Sequence, residues 1–264
     1  MERNEHRQRW AARLSRASEL LHQHTALARA LQLYRATLEF QQNLALKSNL
    51  TFDATVPLRE QIDLSEVSNA IPAILSLGLA YGTETLHGAA QDLQQMGESA
   101  WRRILSAALA GSSSLAATED FYARACLQPV AENLQLQLSR DENHSGDTCP
   151  ACGALPQAAV LRPEGEGASR WLLCSLCFCE WPFRRLVCAW CGEEDKEKLP
   201  RYSNDEWPYV HVEACDTCRH YLKAIDLSID GLAVPLVDEA ALAVLDVWAT
   251  DRGYTKIIRN LLGF

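Results

Sequence analysis

The chain contains no run of about 18 consecutive apolar residues, so it carries no candidate hydrophobic membrane span. Its opening stretch, Met1 to Arg16, is charged throughout and lacks the apolar core of a secretory signal. These two absences predict a cytoplasmic protein without membrane insertion, whose thiols stay reduced. Positive charge is also in deficit. Lys and Arg number 25 against 34 Asp and Glu, for a net charge of −9. The deficit deepens along the chain: residues 1–146 carry 13 basic and 16 acidic side chains, and residues 147–264 carry 12 and 18. A nucleic-acid module usually presents a basic face, and this balance predicts no nucleic-acid partner. No G-x-G-x-x-G string is present, which argues against a self-contained flavin or nicotinamide enzyme.

Cysteine, in contrast, is plentiful and ordered. Eight of the ten cysteines form four Cys-x-x-Cys pairs: Cys149/Cys152, Cys174/Cys177, Cys188/Cys191 and Cys215/Cys218. Two cysteines at this spacing can turn both sulfurs toward one ion, and two such pairs complete a tetrahedral thiolate site. In a reducing compartment the pattern favours metal sites over disulfides. A thioredoxin-type dithiol would need a βαβ setting, and no such unit is visible.

Successive pairs are separated by 21, 10 and 23 residues. Glycine follows directly after Cys152 and Cys191, where a left-handed turn lets backbone N–H groups face the sulfurs. The other two pairs each follow a candidate strand. The order knuckle, strand pair, knuckle, strand pair predicts two consecutive ribbons. Cys149, Cys152, Cys174 and Cys177 would form the first site, and Cys188, Cys191, Cys215 and Cys218 the second. An interleaved pairing is the alternative. Thiolate sites suit iron or zinc, and spacing does not separate the two. Cys179 and Cys126 read as packing residues, and His211 and His220 as solvent-exposed.

The remaining pattern places these ribbons in an α+β chain. Residues from about 7 to 47 read as helix, with stripes at Trp10, Leu14, Ala17, Leu21 and at Leu27, Leu31, Tyr34, Leu38. Further helical stretches are expected at 62–80, 83–109 and 116–138, with Pro72 in a first turn and Pro129 kinking or dividing the last. Glycine and serine at 111–114 predict a turn. A polar segment over 139–147 reads as a linker. Short strands are expected at Ala158–Leu161, Trp171–Cys174, Arg185–Val187, Tyr209–Val212 and Leu222–Ile229, then an amphipathic helix over Leu236–Asp251. The expected organisation is an all-helical domain at 1–140, a linker at 141–147, two tandem rubredoxin-like or zinc-ribbon-like four-cysteine modules at 148–187 and 188–230, and a C-terminal helix and tail at 231–264.

Several strings carry a resemblance. They are Cys149-Pro-Ala-Cys-Gly-Ala-Leu-Pro156, Arg170-Trp-Leu-Leu-Cys-Ser-Leu-Cys177 with Glu180-Trp181, and Arg185-Leu-Val-Cys-Ala-Trp-Cys-Gly192. Glu213-Ala-Cys-Asp-Thr-Cys-Arg-His-Tyr-Leu-Lys223 follows, and then Asp238-Glu239, Leu245-Asp246 and Gly253-Tyr254. Together, over about 149–254, they resemble the formate dehydrogenase accessory protein (FdhE) family. The resemblance implies a non-enzymatic cytoplasmic assembly factor required for active respiratory formate dehydrogenase, binding its catalytic subunit before export. It also implies two iron ions on the eight paired cysteines, with zinc as the alternative. Homodimerisation stays open. Competing readings are a rubredoxin-like electron-transfer or redox protein and a zinc-ribbon nucleic-acid binder. Trp181, Arg184, Arg185 and Trp190 stand out as candidate partner contacts, since aromatics and arginine are enriched in binding cores.

Overall fold

The structure, a computed structural model, describes residues 2–24, 27–47, 51–111, 114–138, 144–165 and 167–263. The chain divides into two compact units, Met1–Leu138 with Leu261–Gly263, and Ser139–Asn260. Most of the polar linker expected at 139–147, and Ser112 and Ser113 of the expected turn, lie outside the described residues.

The first unit is helical: α1 (Glu2–Gln23), α2 (Ala28–Lys47), α3 (Leu64–Ser68), α4 (Ile71–Tyr81), α5 (Glu84–Met96), α6 (Glu98–Leu109) and α7 (Ala117–Gln135). The expected helix over 7–47 is therefore two helices. The stretch 83–109 is also two, separated at Gly97, whose φ of 73° only glycine adopts without strain. Pro72 lies in the first turn of α4, where its missing N–H is not needed. The buried side of α1 is Trp10, Arg13, Arg16, Ala17 and Leu20, so two arginines share the apolar stripe. Arg13 donates two hydrogen bonds to the buried Glu132 carboxylate, at 2.8 and 2.6 Å, and its guanidinium stacks over Trp10.

Helix α7 is buried from Phe121 through Glu132, and this all-round burial explains its weak amphipathic pattern. It runs undivided through Pro129. Proline leaves the carbonyl four residues back without its helical donor. That carbonyl, Ala125 O, accepts a hydrogen bond from the buried Gln41 Nε2 of α2 at 3.2 Å. Gly78 of α4 faces Tyr122 so closely that a Cβ would fall 1.9 Å from the phenol oxygen. That hydroxyl donates to the Leu86 carbonyl at 2.7 Å.

The second unit is built on one sheet: β1 (Pro156–Glu164), β2 (Gly167–Cys174), β3 (Glu180–Pro182), β4 (Arg201–Tyr202), β5 (Val210–Ala214), β6 (His220–Asp226) and β7 (Thr255–Lys256). The strand order is β3-β2-β1-β6-β5-β4, with β7 added beside β6. The order repeats one plan twice. Strands β1, β2 and β3 form an antiparallel meander, and so do β4, β5 and β6. The two meanders meet where β1 runs parallel to β6, Ala158 opposite Lys223 and Ala159 opposite Ala224. Arg185–Val187, expected as a strand, is a loop. The third strand of the first meander is instead Glu180–Pro182.

The expected helix over Leu236–Asp251 is two: α8 (Pro235–Ala241) and α9 (Ala243–Asp251), broken at Leu242 with ψ of 48°. Leu236, Leu242, Leu245 and Ala249 pack with Val160, Val210, Val212, Tyr221 and Ile225 of the sheet. The break exposes carbonyls, and a buried ammonium uses them. Lys223 Nζ of β6 donates to the carbonyls of Glu239 and, at 3.2 Å, of Leu242. It also pairs with Asp246 at 2.5 Å and with Glu239 at 3.2 Å. Lys256 of β7 pairs with the same two carboxylates, at 2.9 Å for Asp246. All four side chains are buried.

Candidate metal centres

All four Cys-x-x-Cys pairs adopt one backbone turn. In each, the amide of the first cysteine donates to the carbonyl five residues on: Cys149 to Ala154, Cys174 to Cys179, Cys188 to Glu193 and Cys215 to His220, at 2.8–2.9 Å. The residue after the second cysteine is left-handed in every case: Gly153 at φ 70°, Phe178 at 57°, Gly192 at 74° and Arg219 at 60°. The sequence marks only the first and third pairs as knuckles, because only they carry glycine there. Phe178 and Arg219 take the same conformation at a cost of about 1–2 kcal/mol each. Both are held by their side chains. Phe178 is buried in the core of the sheet. Arg219 donates to Asp216 at 2.8 Å and to the Arg252 carbonyl at 2.6 Å, and stacks on Tyr254 at 3.9 Å.

These turns bring the sulfurs together in two sets. Cys149, Cys152, Cys174 and Cys177 have all four Sγ atoms within 4.8 Å of one another, and so do Cys188, Cys191, Cys215 and Cys218. The sets are consecutive, not interleaved. At the first, Cys149 and Cys177 are 3.6 Å apart and Cys152 and Cys174 are 3.4 Å apart. At the second, Cys188–Cys218 and Cys191–Cys215 are both 3.7 Å. A tetrahedron with metal–sulfur bonds of about 2.3 Å has edges of about 3.8 Å, so both sets fit a four-thiolate ion.

Their electrostatics also fit a cation. Burial pushes the Cys174 and Cys177 thiols well above the ordinary range, and the crowding Cys149 and Cys152 sulfurs add to it. Buried thiolates at this density need a positive charge among them. Backbone amides point the same way: Leu176 and Cys177 donate to Cys174 Sγ at 3.3 and 3.4 Å, and Trp190 donates to Cys188 Sγ at 3.4 Å. Each cluster can therefore hold a metal ion.

The clusters differ in access. All four cysteines of the first are buried. In the second only Cys215 is buried, Cys188 and Cys218 are half-buried and Cys191 is exposed. Trp190 stacks on His220 beside the second cluster, ring centroids 4.4 Å apart and planes 19° apart. His220 Nδ1 lies 2.9 Å from the Cys218 carbonyl oxygen, which assigns the proton to that nitrogen.

Other sequence candidates fall elsewhere. Cys126 is buried in α7, where burial raises its thiol far above the ordinary range. Cys179 is buried one residue past Phe178, its thiol 3.8 Å from the Glu180 carbonyl oxygen, and it is not among the four sulfurs of the first cluster. His211, expected to be exposed, is buried 3.7 Å from Asp226, and burial holds its imidazole below the ordinary range. Trp181 is buried and donates to the Gly146 carbonyl at 2.9 Å, so it covers the first module and offers no contact surface. Trp190 is 41% exposed and Leu186, unremarked in the sequence, is 61% exposed. Asp238, Glu239, Asp246 and Tyr254, prominent in the sequence tail, sit in hydrogen-bonding networks that hold the unit together.

The same stretch of chain matches known proteins. Residues 148–185 match the family model described as FdhE, central domain, and residues 186–262 match FdhE, C-terminal domain. A protein named Protein FdhE homolog from Aquifex aeolicus is 29% identical over 196 residues, covering 72% of this chain and 68% of that protein. The Protein FdhE homolog of Pseudomonas aeruginosa is 36% identical over 126 residues, covering 46% and 41%. That of Stutzerimonas stutzeri is 37% identical over 131 residues, covering 49% and 43%. The match thus spans under half the length of the latter two relatives. The crystal structure of the FdhE protein from Pseudomonas aeruginosa is similar at a TM-score of 0.72 and 28% identity, covering 96% of this chain and 95% of that one. With the helical unit, the doubled meander and the cysteine-bearing stretch all accounted for by these matches, the chain belongs to the FdhE family.

Proposed function

We propose that the protein is a cytoplasmic accessory factor for the assembly of active respiratory formate dehydrogenase. It binds the catalytic subunit of that enzyme before export and catalyses no reaction of its own. The observation that carries this reading is the pair of four-cysteine clusters, set within the stretch that matches both FdhE domain models. In this reading the modules 148–187 and 188–230 each hold one ion, on Cys149, Cys152, Cys174, Cys177 and on Cys188, Cys191, Cys215, Cys218. Iron is the expected ion and zinc the alternative, since both suit four thiolates. Bound iron would supply a one-electron couple, and zinc would supply none. The residues themselves hold the ions, close the two meanders and present the surface around Leu186 and Trp190.

The test is co-expression with a formate dehydrogenase catalytic subunit under reducing, anaerobic conditions. The two proteins are expected to purify together. Their repeated separation would overturn the reading. Elemental analysis of the same preparation is expected to give two equivalents of iron per chain, and two of zinc would replace iron in the assignment. Exposure of Cys191 favours one second reading, electron transfer, which requires a reversible one-electron couple in protein-film voltammetry.

A further inference from the structure

We propose that the second cluster is an exchange site for a soft metal cation, while the first is a permanent structural one. This deepens the proposed function and rests on both clusters holding metal. The two clusters share a backbone plan and nearly the same sulfur spacing, so bond geometry gives no reason for them to differ. Access does. A sulfur ligand is displaced when an incoming donor reaches the ion or the departing thiolate, and reactivity at cysteine follows exposure. At the first cluster all four cysteines are buried, and Leu176 and Phe178 are buried between and beside them. An incoming donor therefore reaches these sulfurs less readily than those of the second cluster.

At the second cluster three of the four cysteines reach solvent, and Cys191 is exposed outright. The exposed Trp190 and Leu186 flank this corner. Trp190 belongs to the third knuckle and His220 follows the fourth, so their stacked rings bridge the two turns that carry the ligands. The bridge keeps the turns in place when one ligand departs. Exchange then starts at Cys191. Its bond to the ion breaks as one bond from an incoming thiolate or chelating donor forms, and the freed thiolate takes a proton from water. No electron changes hands. The ligand class is a divalent or trivalent soft cation passed between thiolate sites.

Protein loaded anaerobically with two equivalents of Zn²⁺ and challenged with excess chelator tests this directly. One equivalent is expected to leave at least about tenfold faster than the other, the range over which surroundings tune metal affinity. Cys191→Ser should lose the fast equivalent and keep the slow one. A parallel measurement needs no variant: during metal release from the wild-type chain, alkylation followed by mass spectrometry should label Cys188, Cys191 and Cys218 before any cysteine from 149 to 177. Release of both equivalents at one rate, retention of the fast equivalent in Cys191→Ser, or earlier labelling at 149–177 would overturn the proposal. A wild-type chain that binds fewer than two Zn²⁺ would instead defeat the underlying metal assignment, and this proposal with it.

Discussion

Pro129 sits inside α7 without an N–H, and the carbonyl of Ala125 loses its helical donor as a result. Gln41 restores that bond from a neighbouring helix and also donates to Gln128 Oε1 at 3.0 Å. Leaving a buried carbonyl unpaired costs about 1–3 kcal/mol. Gln41→Leu should therefore lower unfolding stability by about that much. In a Pro129→Ala background the helix regains its own donor, so the same substitution should cost less. Chemical denaturation of the four proteins in the cycle checks this, and strictly additive effects would contradict it. The sequence shows a proline in a helical stretch and so predicts a kink or a break. It cannot show a partner 88 residues upstream that makes an unbroken helix tolerable.

At the scale of elements, the break between α8 and α9 and the strand β6 beneath it are tied by Lys223, Glu239, Lys256 and Asp246. Burial pushes the Asp246 carboxyl up, but Lys223 and Lys256 override it and hold it below the usual carboxylate range. Its charge therefore contributes stability at and above the ordinary value of about 4, lost as pH falls through the lower folded value. Asp246→Asn should destabilise the second unit by about 3–5 kcal/mol near neutrality, as expected for one partner removed from a buried ion pair. The gap in melting temperature between the two proteins should begin to narrow as the pH falls below about 4 and close only below the lower folded value, where the wild-type carboxyl is neutral too. A gap that stays constant down to pH 3 would contradict the assignment. The same scale shows what the sequence conceals. Knuckles marked by Gly153 and Gly192 are legible because glycine signals a left-handed turn. Those at Phe178 and Arg219 are not, because the compensation lies in long-range contacts of the side chains. The single helix expected over Leu236–Asp251 fails for the same reason: its break is stabilised by a lysine from a strand.

At the scale of the whole molecule, spacing and composition were enough to place a helical unit before two cysteine modules. They did not reveal that the modules share a sheet. The joint is Ala158 and Ala159 on β1 against Lys223 and Ala224 on β6, a parallel pairing with no local turn to announce it. One sheet should behave as one cooperative body. A structural four-thiolate ion contributes about 10–16 kcal/mol of apparent folding free energy. Cys149→Ala should therefore strip hydrogen-exchange protection from β5 and β6 as well as from β1 and β2. Protection that persists in the second meander would mean that the two halves fold independently. The joint also sets an order in time. Each meander closes over short loops, but β1 cannot meet β6 until the last strand of the second meander has been made. A chain growing from its N-terminus thus completes its first module while β1 still presents a bare edge, open to pairing with the wrong strand. The fourth knuckle turns the chain straight into β6, so the step that completes the second ligand set also delivers the strand that covers this edge.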